Sequence, residues 1–255
     1  AGPYSAMMMG DFGANIIKIE QPGVGDDSRA FGPFVGKESA YYMSLNRNKR
    51  SMTLNFKEQG ARDLFKEMVK KADVVLENYR PGTMEKFGLG YDVLKEIKPD
   101  LIYAACSGFG ETGPYKLKPA YDIIVQAMGG IMSITGPEGG EPTRVGASVG
   151  DIIAGLFTTI GVSMALYHRA MTGEGQKIDV SMLDCQVAVL KMQSAAILSV
   201  AKYLDQSVTD IHRLPHLKDL QPATVMLSSV PAMTVCGKNF VICLANRNLL
   251  QMNAS

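Results

Sequence analysis

The chain has 255 residues, with 26 Lys+Arg against 25 Asp+Glu and a formal charge of +1. That balance argues against nucleic-acid binding, which requires a basic excess or stripe, and 46% hydrophobic with 20% charged residues argues against disorder. The length allows one large domain, or one domain and part of another, with ample core.

Residues 5–12 predict a helix ending at Gly13, followed by a strand over residues 16–20 (IIKIE). Alternation over residues 51–56 (SMTLNF) predicts a second strand. Within residues 58–71, apolar Ala61, Leu64, Phe65, Met68 and Val69 recur at helical spacing, with Lys and Glu on the opposite face. Residues 73–78 read as a buried strand with polar ends, and residues 101–106 (LIYAAC) as another. Continuous apolar strands separated by amphipathic helices predict a parallel sheet covered on both faces. In such sheets ligands sit outside the carboxyl ends of the strands. Glu77-Asn78-Tyr79-Arg80-Pro81-Gly82 and Ser107-Gly108-Phe109-Gly110 are therefore the first candidate ligand segments.

Residues 136–142 form a loop by composition. Residues 152–167 carry no charge, with Asp151 as cap before them and His168-Arg169 after them. A membrane span needs about 20 apolar residues, so this shorter stretch, with Gly and Thr inside it, reads as a buried core helix. Residues 177–182 predict a strand and residues 183–203 another apolar helix. Beyond Asp205 the pattern weakens, and residues 240–244 read as a strand without partners. Of 26 glycines, 25 fall at or before Gly175 and only Gly237 lies beyond, so the last part differs in kind. The chain opens Ala1-Gly2-Pro3 and stops after an apolar run, which leads us to expect a fragment of a longer protein.

Cys106, Cys185, Cys236 and Cys243 show no CxxC spacing, which points to reduced core thiols. His212 and His216 stand at i,i+4 without a Glu or third ligand, so no metal site is expected. The sharpest local feature is Gly146-Ala147-Ser148-Val149-Gly150-Asp151 before the long apolar helix. An acid there accepts hydrogen bonds from the first free N–H groups and feels the positive end of the helix, and both effects favour the carboxylate. Two readings stand side by side, a plain helix cap and a carboxylate nucleophile. The pair Gly146 and Gly150 favours the second, because it lets a substrate approach the backbone. Asp122, after Tyr121, is expected to open another helix and either caps it or helps orient a substrate. Asn46-Arg47-Asn48-Lys49-Arg50 reads as a solvated turn or a phosphate contact. Gly108-x-Gly110-x-x-Gly113 has dinucleotide spacing, but Pro114 and a Lys-rich loop follow it instead of a helix, so NAD binding is rejected.

Taken together, these motifs resemble the class III CoA-transferases, the CaiB/BaiF family. Ala1-Gly2-Pro3, Gly10-Asp11-Phe12-Gly13-Ala14 and Ile17-Lys18-Ile19-Glu20 are similar to its N-terminal signature. Gly25-Asp26-Asp27-Ser28-Arg29, the Asn46–Ser51 segment and Glu77–Gly82 continue it in order. Gly108-Phe109-Gly110, Thr112-Gly113-Pro114, Tyr121-Asp122, Gly150-Asp151 and Thr172-Gly173-Glu174-Gly175-Gln176 complete it. The resemblance covers almost all of residues 1–200. It implies an α/β fold, a Rossmann-like parallel sheet with helices on both faces, and a smaller second domain. Residues 1–205 would form the large CoA-binding domain, and residues 206–255 a linker and the start of the small one. Full-length relatives form interlocked homodimers.

The resemblance also implies transfer of CoA from an acyl-CoA thioester to a free carboxylic acid. Asp151 falls at the family's nucleophile and would pass through a mixed anhydride and an aspartyl-CoA thioester. Asp122 and Tyr121 fall near the acyl site. Leu54, Lys57, Asn78, Tyr79, Lys86, Phe87, Lys118 and Met182 would line the CoA site, lysines at the phosphates and apolar positions at adenine and pantetheine. No permanent cofactor, metal, membrane or nucleic acid is implied. The compartment would be cytosolic, or the mitochondrial matrix for a eukaryotic source. Three departures stand out: Gln21 replaces an Arg found in some members, the catalytic Gln of some transferases would precede Ala1, and no glycine-rich loop follows residue 200.

Two alternatives stand beside this reading. A racemase of the same fold would carry His before Asp122, whereas this chain has Tyr121; a phenol, ordinarily titrating near ~10, is a poor base beside imidazole. A non-catalytic acyl-CoA-binding fragment is the other.

Overall fold

The computed structural model describes residues 1–193, 195 and 240–244. Helix α1 (Gly2–Asp11) starts earlier than its sequence pattern suggests. Pro3 sits in its first turn, where a fixed φ suits the helix and a missing N–H costs nothing. Strand β1 (Asn15–Glu20) follows, and then a 3-10 turn (Asp27–Ala30), a small hairpin of β2 (Phe34–Val35) and β3 (Glu38–Ser39), and α2 (Ala40–Asn46). Strand β4 (Lys49–Thr53) lies earlier than the 51–56 expected, because its partner ends: Glu20 of β1 pairs with Thr53. Past that point Asn55 turns the chain into α3 (Gln59–Val69). Strand β5 (Val74–Glu77), short helices α4 (Thr83–Lys86) and α5 (Tyr91–Ile97), and β6 (Ile102–Ser107) complete this half.

The six-stranded sheet has the order β4-β1-β8-β5-β6-β7, where β7 is Lys177–Ser181 and β8 is Phe240–Leu244. Strand β1 pairs parallel with β4, and β5, β6 and β7 pair parallel in series. Strand β8 corrects one expectation, since it is not without partners: it pairs antiparallel with both β1 and β5. The expected domain division near residue 205, the remainder of the 183–203 helix, and His212 and His216 lie outside the described residues.

Alternation along the strands explains the two covered faces. Val74, Leu76, Ile102 and Ala104 point to a cluster with Ala6 and Met9 of α1 and Val162 and Ala165 of the long helix. Val75, Tyr103 and Ala105 point the other way, to Phe65 and Val69 of α3, Met84 of α4 and Leu94 of α5. Strands apolar on both faces are what a doubly covered sheet requires.

Helix α6 (Asp122–Met128) and α7 (Val149–Thr172) come before β7, and α8 (Met182–Val189) after it. Helix α7 crosses the sheet from its carboxyl edge to its amino edge, about 36 Å at 1.5 Å per residue. Its far end is fixed by Arg169, which donates to Asp73 Oδ1 at 2.7 Å and to the Asp100 carbonyl at 3.4 Å, just ahead of β5 and β6. By length and composition α7 could cross a membrane. Instead, Ala154, Gly155, Thr158, Val162 and Ala165 are buried along one face, against α1 and the sheet. Its opposite face leaves Leu156, Phe157, Ile160, Met164, Tyr167 and Met171 exposed, so the expectation of a buried core helix holds for one side only.

Candidate active site

The ends of β5 and β6 and the starts of α1, α6 and α7 meet at the carboxyl edge of the sheet. Beyond β5, Asn78 donates from Nδ2 to the Cys106 carbonyl at 2.6 Å, and its Oδ1 accepts the Gly2 N–H at 2.9 Å. One amide thus locks the end of β6 to the start of α1. The main-chain nitrogen of Ala1 in turn donates to Asp151 Oδ1 at 2.8 Å. Gly155 permits this approach of α1 to α7, because a Cβ there would lie 3.0 Å from the Ala1 carbonyl oxygen.

Asp151 lies in the first turn of α7 and is not its cap. Ser148 holds the cap position without a side-chain hydrogen bond. The capping acceptor comes from another helix: Asp122 Oδ1 takes the Gly150 N–H at 2.7 Å. Gly150 serves that packing and not a substrate, since a Cβ there would lie 2.6 Å from Val125 and 2.9 Å from Asp122 Oδ1. Burial pushes the Asp122 carboxyl above the usual carboxylate range, and the neighbouring Asp151 adds to this; the bonds from Gly150 and Gln126 pull it back. Asp151 itself remains 39% exposed at the side chain, open to a ligand.

A cavity of about 500 Å³ fills the space above these ends. Of the residues expected from the sequence, Tyr121, Asp122, Asp151, Asn78, Tyr79, Lys118 and Met182 line it. Leu54, Lys57, Lys86 and Phe87 do not. Leu54 and Phe87 pack on the apolar cluster beneath α3 and α4, while Lys57 and Lys86 are exposed nearby in sequence. Tyr79 belongs to both places, lining the cavity and packing on that cluster.

The cavity also has walls that residue spacing did not announce. Arg80 and Lys116 bring positive charge to it; Arg80 stood within a candidate segment, and Lys116 within the Lys-rich loop. Phe31 and Tyr41 form an aromatic lip, ring centroids 5.9 Å apart. Burial raises the Tyr41 phenol, and Asp151, Asp26 and Asp122 raise it further.

A buried polar network holds the lip. Lys18, 1% exposed, is paired with Asp26, whose Oδ1 takes the Ser28 N–H at 2.8 Å and the Ser28 hydroxyl at 2.6 Å. Glu20 accepts from Arg29, Tyr42 and Ser51. Burial pushes the Glu20 carboxyl up, but those three donors outweigh it and bring it down to about 2. The basic cluster at 46–50 stays largely at the surface but is tied to its neighbours: exposed Arg47 pairs with Asp11 and exposed Arg50 donates to Asn15 at 2.7 Å, while half-buried Lys49 donates to the Pro3 carbonyl at 2.7 Å. It is neither a purely solvated turn nor a cavity wall. Cys106 and Cys185 are free and buried, and burial pushes their thiols up to about 11 and about 12, so neither is an activated nucleophile.

Glu77, at the end of β5, supplies a pH-dependent prediction. Burial pushes its carboxyl up to about 8 from an ordinary 4.5, against the pull of a hydrogen bond from the Tyr79 N–H. Between those pH values the folded state holds a proton that the unfolded state has released. Stability therefore falls as pH rises through that window and levels off above it. Glu77→Gln, which keeps an acceptor for Tyr79, is expected to flatten this slope. In urea unfolding it should match the parent near pH 4 and exceed it by about 3–5 kcal/mol at pH 9. Parallel curves for the two proteins would exclude a proton held on Glu77.

Comparisons with known proteins identify the family. The family model described as CoA-transferase family III matches residues 1–213. The chain is 52% identical over 191 residues to acetyl-CoA:oxalate CoA-transferase of Acetobacter aceti, covering 74% of this chain and 49% of that protein. It is 44% identical over 191 residues to succinyl-CoA:glutarate CoA-transferase of Homo sapiens, covering 74% and 44%. A crystal structure of a CAIB/BAIF family protein from Brucella suis matches with a TM-score of 0.75 at 43% identity, covering 78% of this chain and 54% of that one. The chain spans about half the length of the curated relatives it matches. With the family match running through every described strand of the sheet except β8 and through the whole Asp151 cavity, the chain belongs to CoA-transferase family III.

Proposed function

We propose that the protein containing this chain moves CoA from an acyl-CoA thioester to a free carboxylic acid by covalent catalysis on Asp151. The observation that carries this reading is a half-exposed Asp151 in the first turn of α7, at the wall of a cavity of about 500 Å³. The Asp151 carboxylate attacks the thioester carbonyl, the C–S bond breaks, and CoA leaves as thiolate from a mixed anhydride. The thiolate then attacks the aspartyl carbonyl, releasing the first acid and leaving an aspartyl-CoA thioester. The acceptor carboxylate attacks that thioester, freeing CoA thiolate and forming a second anhydride. Thiolate attack on the acceptor's acyl carbon gives the new acyl-CoA and restores Asp151. No net proton is gained or lost. The positive end of α7 supports charge at its first turn throughout.

In this reading the CoA chain runs from the cavity past Tyr79 towards Leu54 and Phe87; the exposure of Lys57 and Lys86 supports a role for them at its phosphates. Arg80 and Lys116 at the cavity suit an acceptor with a second carboxylate, and the names of the two relatives carry oxalate and glutarate, both dicarboxylates. Tyr121, in place of an imidazole, supports transfer over α-proton chemistry. The exposed apolar face of α7 supports an interlocked homodimer for the full-length protein, and free Cys106 and Cys185 suit a cytosolic or matrix compartment.

The test uses the full-length protein, a panel of acyl-CoA donors and dicarboxylic acids, and mass spectrometry of the CoA products in deuterated water. A new acyl-CoA that requires both donor and acid supports the reading. Hydrolysis alone, or α-deuterium entering the donor without an acid, overturns it.

A further inference from the structure

Gln126 is fully buried on α6, one turn beyond Asp122, and its amide is used at both ends. Its Oε1 accepts the Val145 N–H at 2.9 Å. Its Nε2 donates to Asp122 Oδ2 at 2.7 Å and reaches the Ala147 carbonyl at 3.3 Å. Residues 145–147 form the strap that leads into α7. Asp122 in turn supplies the capping acceptor for α7 through Gly150, the residue before Asp151. The strap and the cap, the two things that fix the start of α7, therefore share one side chain.

We propose that Gln126 is a positioning residue, which sets the attitude of Asp151 by holding Asp122 and the 145–147 strap together. The chemistry requires an amide. Leucine provides neither donor nor acceptor, and a carboxylate at 126 accepts from Val145 but cannot donate to Asp122. Without the Nε2 donor, Asp122 is free to turn away from Gly150, and the first turn of α7 loses its acceptor. A displacement of about 1 Å in a reacting group can cost roughly 100-fold in rate. The inference rests on the proposed role of Asp151.

A carboxylic acid at 126 makes the test specific. When protonated it donates to Asp122 as the amide does; when ionised it repels Asp122. Two carboxyls sharing one proton titrate as a pair, at raised pH. The other charged or titratable groups around the pair are Asp151 on α7, Arg144 on the strap, Tyr41 and Tyr121 at the cavity, Lys116 and Lys118 on its wall, and Cys185 of α8 across the Val125 cluster. All of them are unchanged in the variant, so a new pH limb reports position 126.

In the full-length enzyme, Gln126→Leu is expected to lower kcat roughly 10- to 100-fold with KM for acyl-CoA within about threefold. Gln126→Glu is expected to approach parental kcat at the acid end of about pH 5.5 to 9 and to lose it as pH rises, a limb absent from the parent. A Gln126→Glu profile that superimposes on the parental one, or parental kcat in Gln126→Leu, overturns the proposal. Should Gln126→Leu fail to fold, as judged by circular dichroism, the Gln126→Glu series decides alone. If the parent itself transfers no CoA, it is the proposed function that fails; if the parent is active and the profiles coincide, only the role of Gln126 fails.

Discussion

Asp151→Ala in the full-length protein is expected to abolish CoA transfer, with kcat down by about 10⁴-fold or more, while CoA still binds. The cavity explains the separation. The residues proposed to bind CoA, Tyr79, Lys118 and Met182 at the cavity and Leu54 and Phe87 on the neighbouring apolar cluster, are untouched by the substitution, so equilibrium binding should change little. Inside the fold the substitution removes the hydrogen bond from the Ala1 main-chain nitrogen, which ends on a part-exposed carboxylate, and a hydrogen bond of this kind contributes about 0.5–1.5 kcal/mol. A stable, CoA-binding, inactive variant is thus the expected result. An isotope experiment goes further. With an acceptor acid labelled with ¹⁸O, collapse of the second anhydride leaves one acceptor oxygen on Asp151. Mass spectrometry of the peptide containing Asp151 should then gain one label. Parental turnover in Asp151→Ala, or an unlabelled Asp151 after many turnovers, would remove this residue from the covalent route.

Lys18→Met is expected to destabilise the protein by about 3–5 kcal/mol, because it leaves the Asp26 carboxylate buried without its cation. Both side chains are 1% exposed, so water cannot take the place of the missing charge. The fault would spread to the cavity, since Asp26 also organises the Asp27–Ala30 turn through Ser28, and Asp27, Ser28 and Phe31 line the wall. Adding Asp26→Asn should restore part of the loss: asparagine keeps an oxygen for the Ser28 N–H and drops the charge. Urea unfolding of the parent, the single variant and the double variant checks this. A single variant within 1 kcal/mol of the parent, or a double variant worse than the single, would mean that the charge pair is not what holds this turn.

Much of the fold could be read locally. Apolar runs in residues 73–78 and 101–106 became β5 and β6, and their alternation fills both cluster faces. The carboxyl ends of those strands, singled out as ligand segments, do line the cavity. Where boundaries moved, a partner moved them. Strand β4 stops at Thr53 because β1 stops at Glu20, although Leu54 and Phe56 continue its alternation. Residues 240–244 read correctly as a strand, but only the sheet shows that β1 and β5 flank it, antiparallel to both.

The site divides in the same way. The sequence by itself determined the α/β class through apolar strands alternating with amphipathic helices, the family resemblance through motifs in order, and the choice of Asp151 and Asp122 through acids at two helix starts. It could do so because helix starts, strand periods and glycine turns are written in neighbouring residues. Tertiary structure alone decided that Asp122 caps α7 while Asp151 stays open, that Gly150 serves helix packing, and that Gln126 ties cap to strap. It also decided that Phe31 and Tyr41 reach the cavity, carried there by the buried Lys18–Asp26 and Glu20–Arg29–Tyr42 contacts. The physical reason is common to all of these. A polar side chain's role depends on which distant partner desolvates and hydrogen-bonds it, and residue spacing along the chain does not encode that partner.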